Sequence, residues 1–300
     1  MALIIGTRGS DLALWQANYA QEKFRALGIE SEIRVIKTSG DLNQETPLNQ
    51  LTTPGFFTKE IEKELLEGRI DLAVHSYKDL ETTVPEGLDV PALIAREDPR
   101  EAILIRPECA DDNLPFGMKE GAIVGTSSNR RAQQLKMDRP DVEIRTIRGN
   151  VPTRVNKLRD GEYESIICAR AGLVRLELDL SDFKVIVPSV SEFVPASGQG
   201  VLAIETRTDG EGREAALKLN EFEISILARV ERQLLSDMGG GCTIPFGANL
   251  RHDGMFYCLE AFLGPQEGEK FAPFRVSTEA GGAGQAHAVG IMKLKEGRGF

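Results

Sequence analysis

A repeated strand-then-helix rhythm constrains this chain more than any other feature. Residues 2–5 form a short apolar run, and residues 11–27 carry Leu12, Trp15, Tyr19, Phe24 and Leu27 at helical spacing before Gly28. Residues 32–37 alternate about Ile33 and Val35. Phe57, Ile61 and Leu65 then mark a second helix closed by Gly68, and residues 70–74 are again apolar. Strands and helices in alternation bury their apolar faces best as a mostly parallel sheet with helices packed on it.

The rhythm then repeats. Ile5-Gly6-Thr7-Arg8-Gly9-Ser10 is echoed by Val124-Gly125-Thr126-Ser127-Ser128-Asn129, each a strand running through Gly-Thr into a helix. Residues 68–73 find a fainter echo at 161–166. The expectation is two similar α/β domains whose Gly-Thr turns face one cleft and offer helix N-termini to anions. A Gly-Thr turn is also a common way to leave a strand, so the echo alone does not separate the two readings. Residues 96–100 read as a connection between the domains, and residues 188–200 as an irregular return. A strong helix is expected over 221–235, with Ile224, Leu227, Val230 and Leu234 on one face, and a strand over 256–262. Residues 264–300, rich in Gly and Ala, show no clear period and receive no assignment. The expected division is 1–95 with 196–217, 100–190, and an α+β unit over 218–300.

Charge narrows the function. A chain of 300 residues with net charge −10 repels nucleic acid and anionic membrane unless its cations are concentrated. The cations are concentrated. Arg8, Arg130, Arg131, Arg148 and Arg154 all follow the C-terminal ends of expected strands, where open α/β sheets bind ligands. Arg130 and Arg131 occupy a helix's first turn, against its dipole. Guanidinium groups pair with carboxylates or phosphates, so this pattern points to a ligand bearing several of them, against a plainer reading as a solvated basic face. The four cysteines form no CxxC pair, and His75 has no second His at ligand spacing, so neither a disulfide framework nor a metal site is expected. No run of residues is long and apolar enough for a membrane helix, and no leader is evident, so a cytoplasmic location is expected.

Two further constellations can carry chemistry. His75-Ser76-Tyr77-Lys78-Asp79 follows an apolar strand. Asp79 there is a candidate acid, base or cation stabiliser, and Lys78 a candidate amine nucleophile; a strand-end turn with a paired Lys and Asp is the plainer reading. Cys242 follows Gly239-Gly240-Gly241, a setting that exposes a thiol or buries a small one in a tight turn. Neither GxGxxG nor GxSxG occurs, which weighs against a dinucleotide fold and an esterase.

Taken in order, these pieces resemble the porphobilinogen deaminases from Gly6 to about Gly247. The resemblance is carried by Gly6-Thr7-Arg8 with Ser10, residues 12–17, residues 71–79, Arg96-Glu97-Asp98-Pro99-Arg100, and residues 124–128 with Arg130-Arg131. It continues through Arg148-Gly149-Asn150-Val151, Thr153-Arg154, Ala171-Gly172-Leu173 with Arg175-Leu176, Gly198-Gln199-Gly200 and Gly240-Gly241-Cys242. It implies two domains like the lobes of periplasmic binding proteins plus a small C-terminal α+β domain. It also implies a dipyrromethane cofactor joined to Cys242 by a thioether, and head-to-tail condensation of four porphobilinogens, with loss of ammonia, to hydroxymethylbilane.

On this resemblance Asp79 stabilises the cationic azafulvene left when the amino group departs. Arg8, Arg130, Arg131, Arg148, Arg154 and Arg175 hold carboxylates. Ser10, Ser76, Lys78, Thr126, Ser127, Ser128, Gly172 and Gln199 complete the cofactor and substrate contacts. No metal, nucleic acid or membrane is implied, and the working form is a monomer. The chain departs from the family where Pro54 replaces a loop lysine, Gln50 a second one, Glu81 a proline and Arg170 a small or apolar residue. A rival reading follows: a non-catalytic paralogue that binds a tetrapyrrole or another polycarboxylate. The missing loop lysine favours it, and the retained Asp79 and Cys242 oppose it.

Overall fold

A computed structural model describes residues 2–38, 58–240 and 244–299. First come β1 (Leu3–Thr7), α1 (Asp11–Ala26), β2 (Ser31–Val35), α2 (Lys59–Leu66), β3 (Leu72–Ser76) and β4 (Leu88–Ile94). The next group is β5 (Glu101–Ile105), β6 (Ile123–Gly125), α3 (Asn129–Asp138), β7 (Glu143–Arg145), α4 (Val151–Arg159), β8 (Ser165–Ala169), α5 (Arg170–Arg175) and β9 (Lys184–Ile186). The chain then returns through β10 (Leu202–Arg207) and α6 (Glu211–Leu219). It ends with α7 (Phe222–Asp237), β11 (Phe246–His252), β12 (Tyr257–Leu263), β13 (Phe274–Ala280) and α8 (Ala283–Arg298).

The two five-stranded sheets share one topology. The first runs β2-β1-β3-β10-β4 and the second β7-β6-β8-β5-β9. In each, the strand second from one edge is antiparallel to its neighbours and is the one that enters from the other domain: β10 in the first sheet, β5 in the second. Both sheets bury both faces. Leu72 and Val74 pack on Ala17, Ala20 and Phe24 of α1, while Ala73 points the other way toward Ile61 and Leu65 of α2. In the second sheet Leu104 and Ile166 meet Val155 and Leu158 of α4, and Ile103, Ile105 and Val124 meet Leu135 of α3. Each such large side chain contributes about 1.5–3 kcal/mol relative to leaving it in water.

Two crossovers join these domains and lie against one another. Glu97 N–H donates to Gly200 O at 3.0 Å. Gly200 has φ +86°, and a Cβ there would stand 2.3 Å from the Glu97 carbonyl oxygen, so only glycine lets the return segment pass. Glu231 of α7 ties the C-terminal unit to this junction. It is fully buried, lies 2.8 Å from Arg96, and accepts N–H bonds from Gly198 at 2.8 Å and Leu250 at 2.7 Å.

The C-terminal unit is the antiparallel sheet β11-β12-β13 with α7 and α8 packed on it through Leu234, Leu250, Leu259, Ala286 and Leu294. The stretch 264–300, unassigned from sequence, holds β13 and the 16-residue α8. Its helical face is hard to read because the buried positions are Ala286, Gly290 and Leu294. The missing bulk at Gly290 is what lets the helix approach Leu259, whose side chain lies 2.4 Å from where a Cβ would stand. Strand β7 stops at Arg145, and Ile147 beyond it drops into the core. Among the described residues no helix is long and apolar enough to cross a membrane.

Candidate active site

The first domain contributes a polar pocket. Thr7 ends β1 fully buried, and its hydroxyl donates to Ala13 O at 3.0 Å. Ser10 caps α1 by accepting from Ala13 N–H at 3.4 Å, and Asp11 on the first turn suits the helix dipole. Across from it β3 ends at Ser76, whose hydroxyl accepts from Gln16 Nε2 at 2.7 Å. One 3₁₀ turn, Tyr77–Asp79, then presents Asp79 to solvent. Arg8, Ser10, Gln16, His75, Ser76 and Asp79 are among the residues that line the resulting pocket of about 70 Å³. His75 is buried at its floor, 3.2 Å from Glu205 of β10.

Lys78 turns away from this pocket toward the crossovers. Its Nζ donates to Gln199 Oε1 at 3.1 Å, and Gln199 Nε2 donates to Pro99 O at 2.7 Å. A rim of the Lys78 side chain reaches solvent, but protein packs densely around its amine. Burial lowers the Lys78 pKa, Arg131 pushes the same way, and Asp79 opposes both. Gln199 is fully buried, so Lys78 and Gln199 link the site to the crossovers.

The second domain contributes cations, arranged differently from the sequence expectation. Thr126 is buried and its hydroxyl accepts from Ser128 N–H at 3.2 Å. The Ser127 hydroxyl donates to Ile147 O. Ser128 caps α3 by accepting from Arg131 N–H at 3.4 Å. Arg130 and Arg131, read from sequence as cleft cations, are 5% and 7% exposed and already have an anion. Glu101, fully buried at the start of β5, receives Arg130 on one carboxylate oxygen at 2.6 Å and Arg131 on the other at 2.7 Å. Burial alone would raise the Glu101 pKa, but Arg131 and Arg130 outweigh it and hold the carboxyl at about 2. This carboxylate explains how two cations tolerate a helix's first turn. The sequence reading missed it because the partners lie thirty residues apart and no local pattern joins them.

Arg148 and Arg154 are half-buried. Burial lowers the pKa of each, and Arg131 and Arg148 depress Arg154 further, so the three cations crowd one region. Arg154 Nε donates to Gly149 O at 2.8 Å. Asp79 lies within electrostatic reach of Arg131, Arg154 and Lys78, which brings the carboxylate of one domain to the cations of the other.

Gly172 and Arg175 sit elsewhere than among these cations. A Cβ on Gly172 would touch Val151 at 3.4 Å and Leu12 at 3.6 Å, so this glycine marks the contact between the two α/β domains. Arg175 is 6% exposed and donates to Ala95 O and Gly200 O, both at 2.7 Å, with its guanidinium 5.2 Å from the Trp15 ring. It clasps the two crossovers, and burial lowers its pKa to about 10. Arg170 pairs with Asp98 at 3.0 Å, sharing that carboxylate with Arg100. Cys242, Gln50, Pro54 and Phe57 lie outside the described residues. The described cysteines, Cys109, Cys168 and Cys258, are buried free thiols. Among the described residues no group of three His, Cys, Asp or Glu side chains is placed to hold a metal ion.

Comparison with known proteins decides the family. The model of "Porphobilinogen deaminase, dipyromethane cofactor binding domain" matches residues 3–215. The chain belongs to the porphobilinogen deaminase family. The porphobilinogen deaminase of Helicobacter acinonychis is 42% identical over 269 residues, covering 89% of this chain and 86% of its own. That of Chloroherpeton thalassium is 41% identical over 281 residues, covering 93% and 88%. Among solved structures, an ancestral cationic amino acid solute binding protein aligns over 79% of this chain and 91% of its own, at 14% identity and a TM-score of 0.43. As a porphobilinogen deaminase the chain is a transferase, the hydroxymethylbilane synthase of tetrapyrrole biosynthesis, and its cofactor is dipyrromethane. The non-catalytic rival finds no support among these relatives.

Proposed function

We propose that Asp79 is the catalytic carboxylate of the condensation and that the second domain's cations hold the carboxylates of cofactor and growing chain. The observation that carries this reading is the exposed Asp79, in the first domain's pocket, within electrostatic reach of Arg131 and Arg154 of the second. The donor set fits a polycarboxylate cofactor. Arg148 and Arg154 crowd Arg131, and the Nε of Arg131 is buried with no hydrogen-bond partner. Joined to Cys242, the cofactor supplies a free pyrrole carbon to which the first porphobilinogen is linked.

In each cycle the C–N bond of porphobilinogen breaks, ammonia leaves with the electron pair, and a cation conjugated with the pyrrole nitrogen remains. Asp79 faces that cation from the first domain's pocket, and its negative charge lowers the cation's energy. The attacked pyrrole carbon then loses its proton, and Asp79 is placed to hold or pass a proton at the pyrrole nitrogens. Each charge-assisted bond from Arg8, Arg148 or Arg154 to a carboxylate contributes about 1.5–3 kcal/mol to holding the chain. Ser10 and Ser76 add neutral donors beside Asp79. The Ser127 hydroxyl donates within the turn and serves by shaping it, while Thr126 and Ser128 accept there and, like Ser10, keep an O–H to offer a ligand. Gln199 and Lys78 hold the crossovers in register with the site, and Arg175 and Gly172 set the seam between the domains.

This reading divides the chain at 1–95 with 196–217, at 100–190 and at 218–300. It takes the working enzyme as a cytoplasmic monomer that binds neither nucleic acid nor membrane. The net charge of −10 and the buried free thiols support that assignment. Asp79→Asn in the cofactor-loaded enzyme tests the central role. A chain that keeps its cofactor mass but loses turnover supports it, and near-normal turnover contradicts it.

A further inference from the structure

We propose that Glu101 is a positioning residue for the condensation: its shared carboxylate fixes the Arg131 guanidinium so that the uncommitted Nε–H is left for a ligand carboxylate. The proposal rests on the reading that Arg131 faces the cleft, and it goes beyond that reading in naming what sets the donor.

The hydrogen bonds account for each guanidinium atom by atom. Arg130 gives one nitrogen to Glu101 Oε1 at 2.6 Å and another to Val194 O at 2.6 Å. Arg131 gives one nitrogen to Glu101 Oε2 at 2.7 Å and another to Ile167 O at 2.9 Å. Each plane is thus held at two points, and Glu101 supplies one point to both. The Nε of Arg131 is buried and has no hydrogen-bond partner, as is also true of the Nε atoms of Arg175 and Arg275, but only the Arg131 donor lies within electrostatic reach of Asp79. A buried donor without a partner is costly, so a site built this way stands ready for an acceptor from outside. Two adjacent buried guanidiniums at a helix N-terminus also repel one another and oppose the dipole. Removing Glu101 would leave both uncompensated.

The place of Glu101 gives the arrangement a second consequence. It is the first residue of β5, directly after the 96–100 crossover. The Arg130 acceptor, Val194, lies within the return crossover and is also held by Gln134 through bonds of 2.8 and 2.9 Å. The paired arginines are therefore tied to both connections between the domains.

A double-mutant cycle on cofactor-loaded enzyme tests this, using Glu101→Gln, Arg131→Gln and both together. Glu101→Gln keeps size and an acceptor oxygen but removes the charge. If Glu101 acts through Arg131, its variant loses about 10-fold or more in kcat/KM, and the double variant is no worse than Arg131→Gln alone. Losses that multiply show that Glu101 acts on its own and overturn the proposal. Near-normal turnover of Glu101→Gln beside an impaired Arg131→Gln also overturns it. Near-normal turnover of Arg131→Gln overturns instead the reading of Arg131 as a cleft donor.

An activity-free readout is the Nε–H resonances of ¹⁵N-arginine-labelled protein. The Arg131 signal should shift on adding porphobilinogen in the wild type and fail to do so in Glu101→Gln. An unchanged response in the variant counts against the proposal. Should Glu101→Gln not accumulate as folded protein, Glu101→Asp keeps the charge but not the reach, and the same cycle and the same non-additivity are decisive.

Discussion

The two Gly-Thr turns are built alike and equipped oppositely. Both follow the corresponding strand, second from one edge, of a sheet with the same strand order. Both end in a serine that caps the next helix from three residues upstream, and both accept that bond at 3.4 Å. In the first domain the capped helix opens with Asp11, which suits the dipole, and the turn borders the pocket of Asp79. In the second the helix opens on Arg130 and Arg131, which oppose the dipole and survive because Glu101 neutralises them from inside. On the proposed function, one scaffold used twice supplies the reacting carboxylate on one side and the anion-holding wall on the other. The strand order fixes where such a turn points, and the first helical turn decides what it carries.

Removing the reacting group should break this division most severely. Asp79→Asn should reduce turnover by at least ~10²-fold, the scale of a positioned acid–base or electrostatic group, with the cofactor mass unchanged. Steady-state kinetics alongside intact mass checks this, and Lys78 becomes the next candidate should turnover persist. On the opposite wall Arg154→Ala should cost about 10-fold in kcat/KM, the loss of one charge-assisted bond, without abolishing the chemical step.

The internal anion sharpens the comparison through pH. Glu101 has a folded-state pKa of about 2 against an ordinary value of 4.5. The unfolded chain therefore takes up its proton first as pH falls. The stability that Glu101 contributes is complete above about pH 4.5 and is lost as pH drops toward 2. Chemical denaturation at several pH values should show the stability gap between wild type and Glu101→Gln closing over that range, whereas a gap independent of pH would count against a charged Glu101. The smallest effect belongs to Arg170. It is about a third exposed and is paired with Asp98, which Arg100 also holds, so Arg170→Ala should change turnover by less than about 3-fold. A larger loss would make Arg170 a working cation of the cleft and a substitute for the loop lysine that Pro54 replaces.

Much of the fold was legible because it is written in local period. The helix around Leu12, Trp15 and Phe24 and the apolar run before His75 stand close to their expected bounds. The echo of the two Gly-Thr turns corresponds to one topology used twice. Helix α8 was not legible, since its buried stripe is Ala286, Gly290 and Leu294 and its fit depends on a glycine lying against Leu259. The site was legible by residue type and less so by direction. Arginines were expected in a cleft, yet Arg175 clasps Ala95 and Gly200, because spacing along a helix does not say which neighbour its last turn meets. Glu101 escaped notice because a single acid at the start of a strand carries no signal until its arginines are folded against it.

The account stands most directly on the mass of the denatured chain. Protein from a host that makes porphobilinogen should exceed its sequence mass by two linked pyrrole units, placed by peptide mapping on Cys242. Brief exposure to porphobilinogen should add further single units in wild type and not in Asp79→Asn. An unmodified Cys242 in active protein would contradict the covalent cofactor, and equal stepwise additions in the Asp79→Asn variant would remove Asp79 from the chemistry.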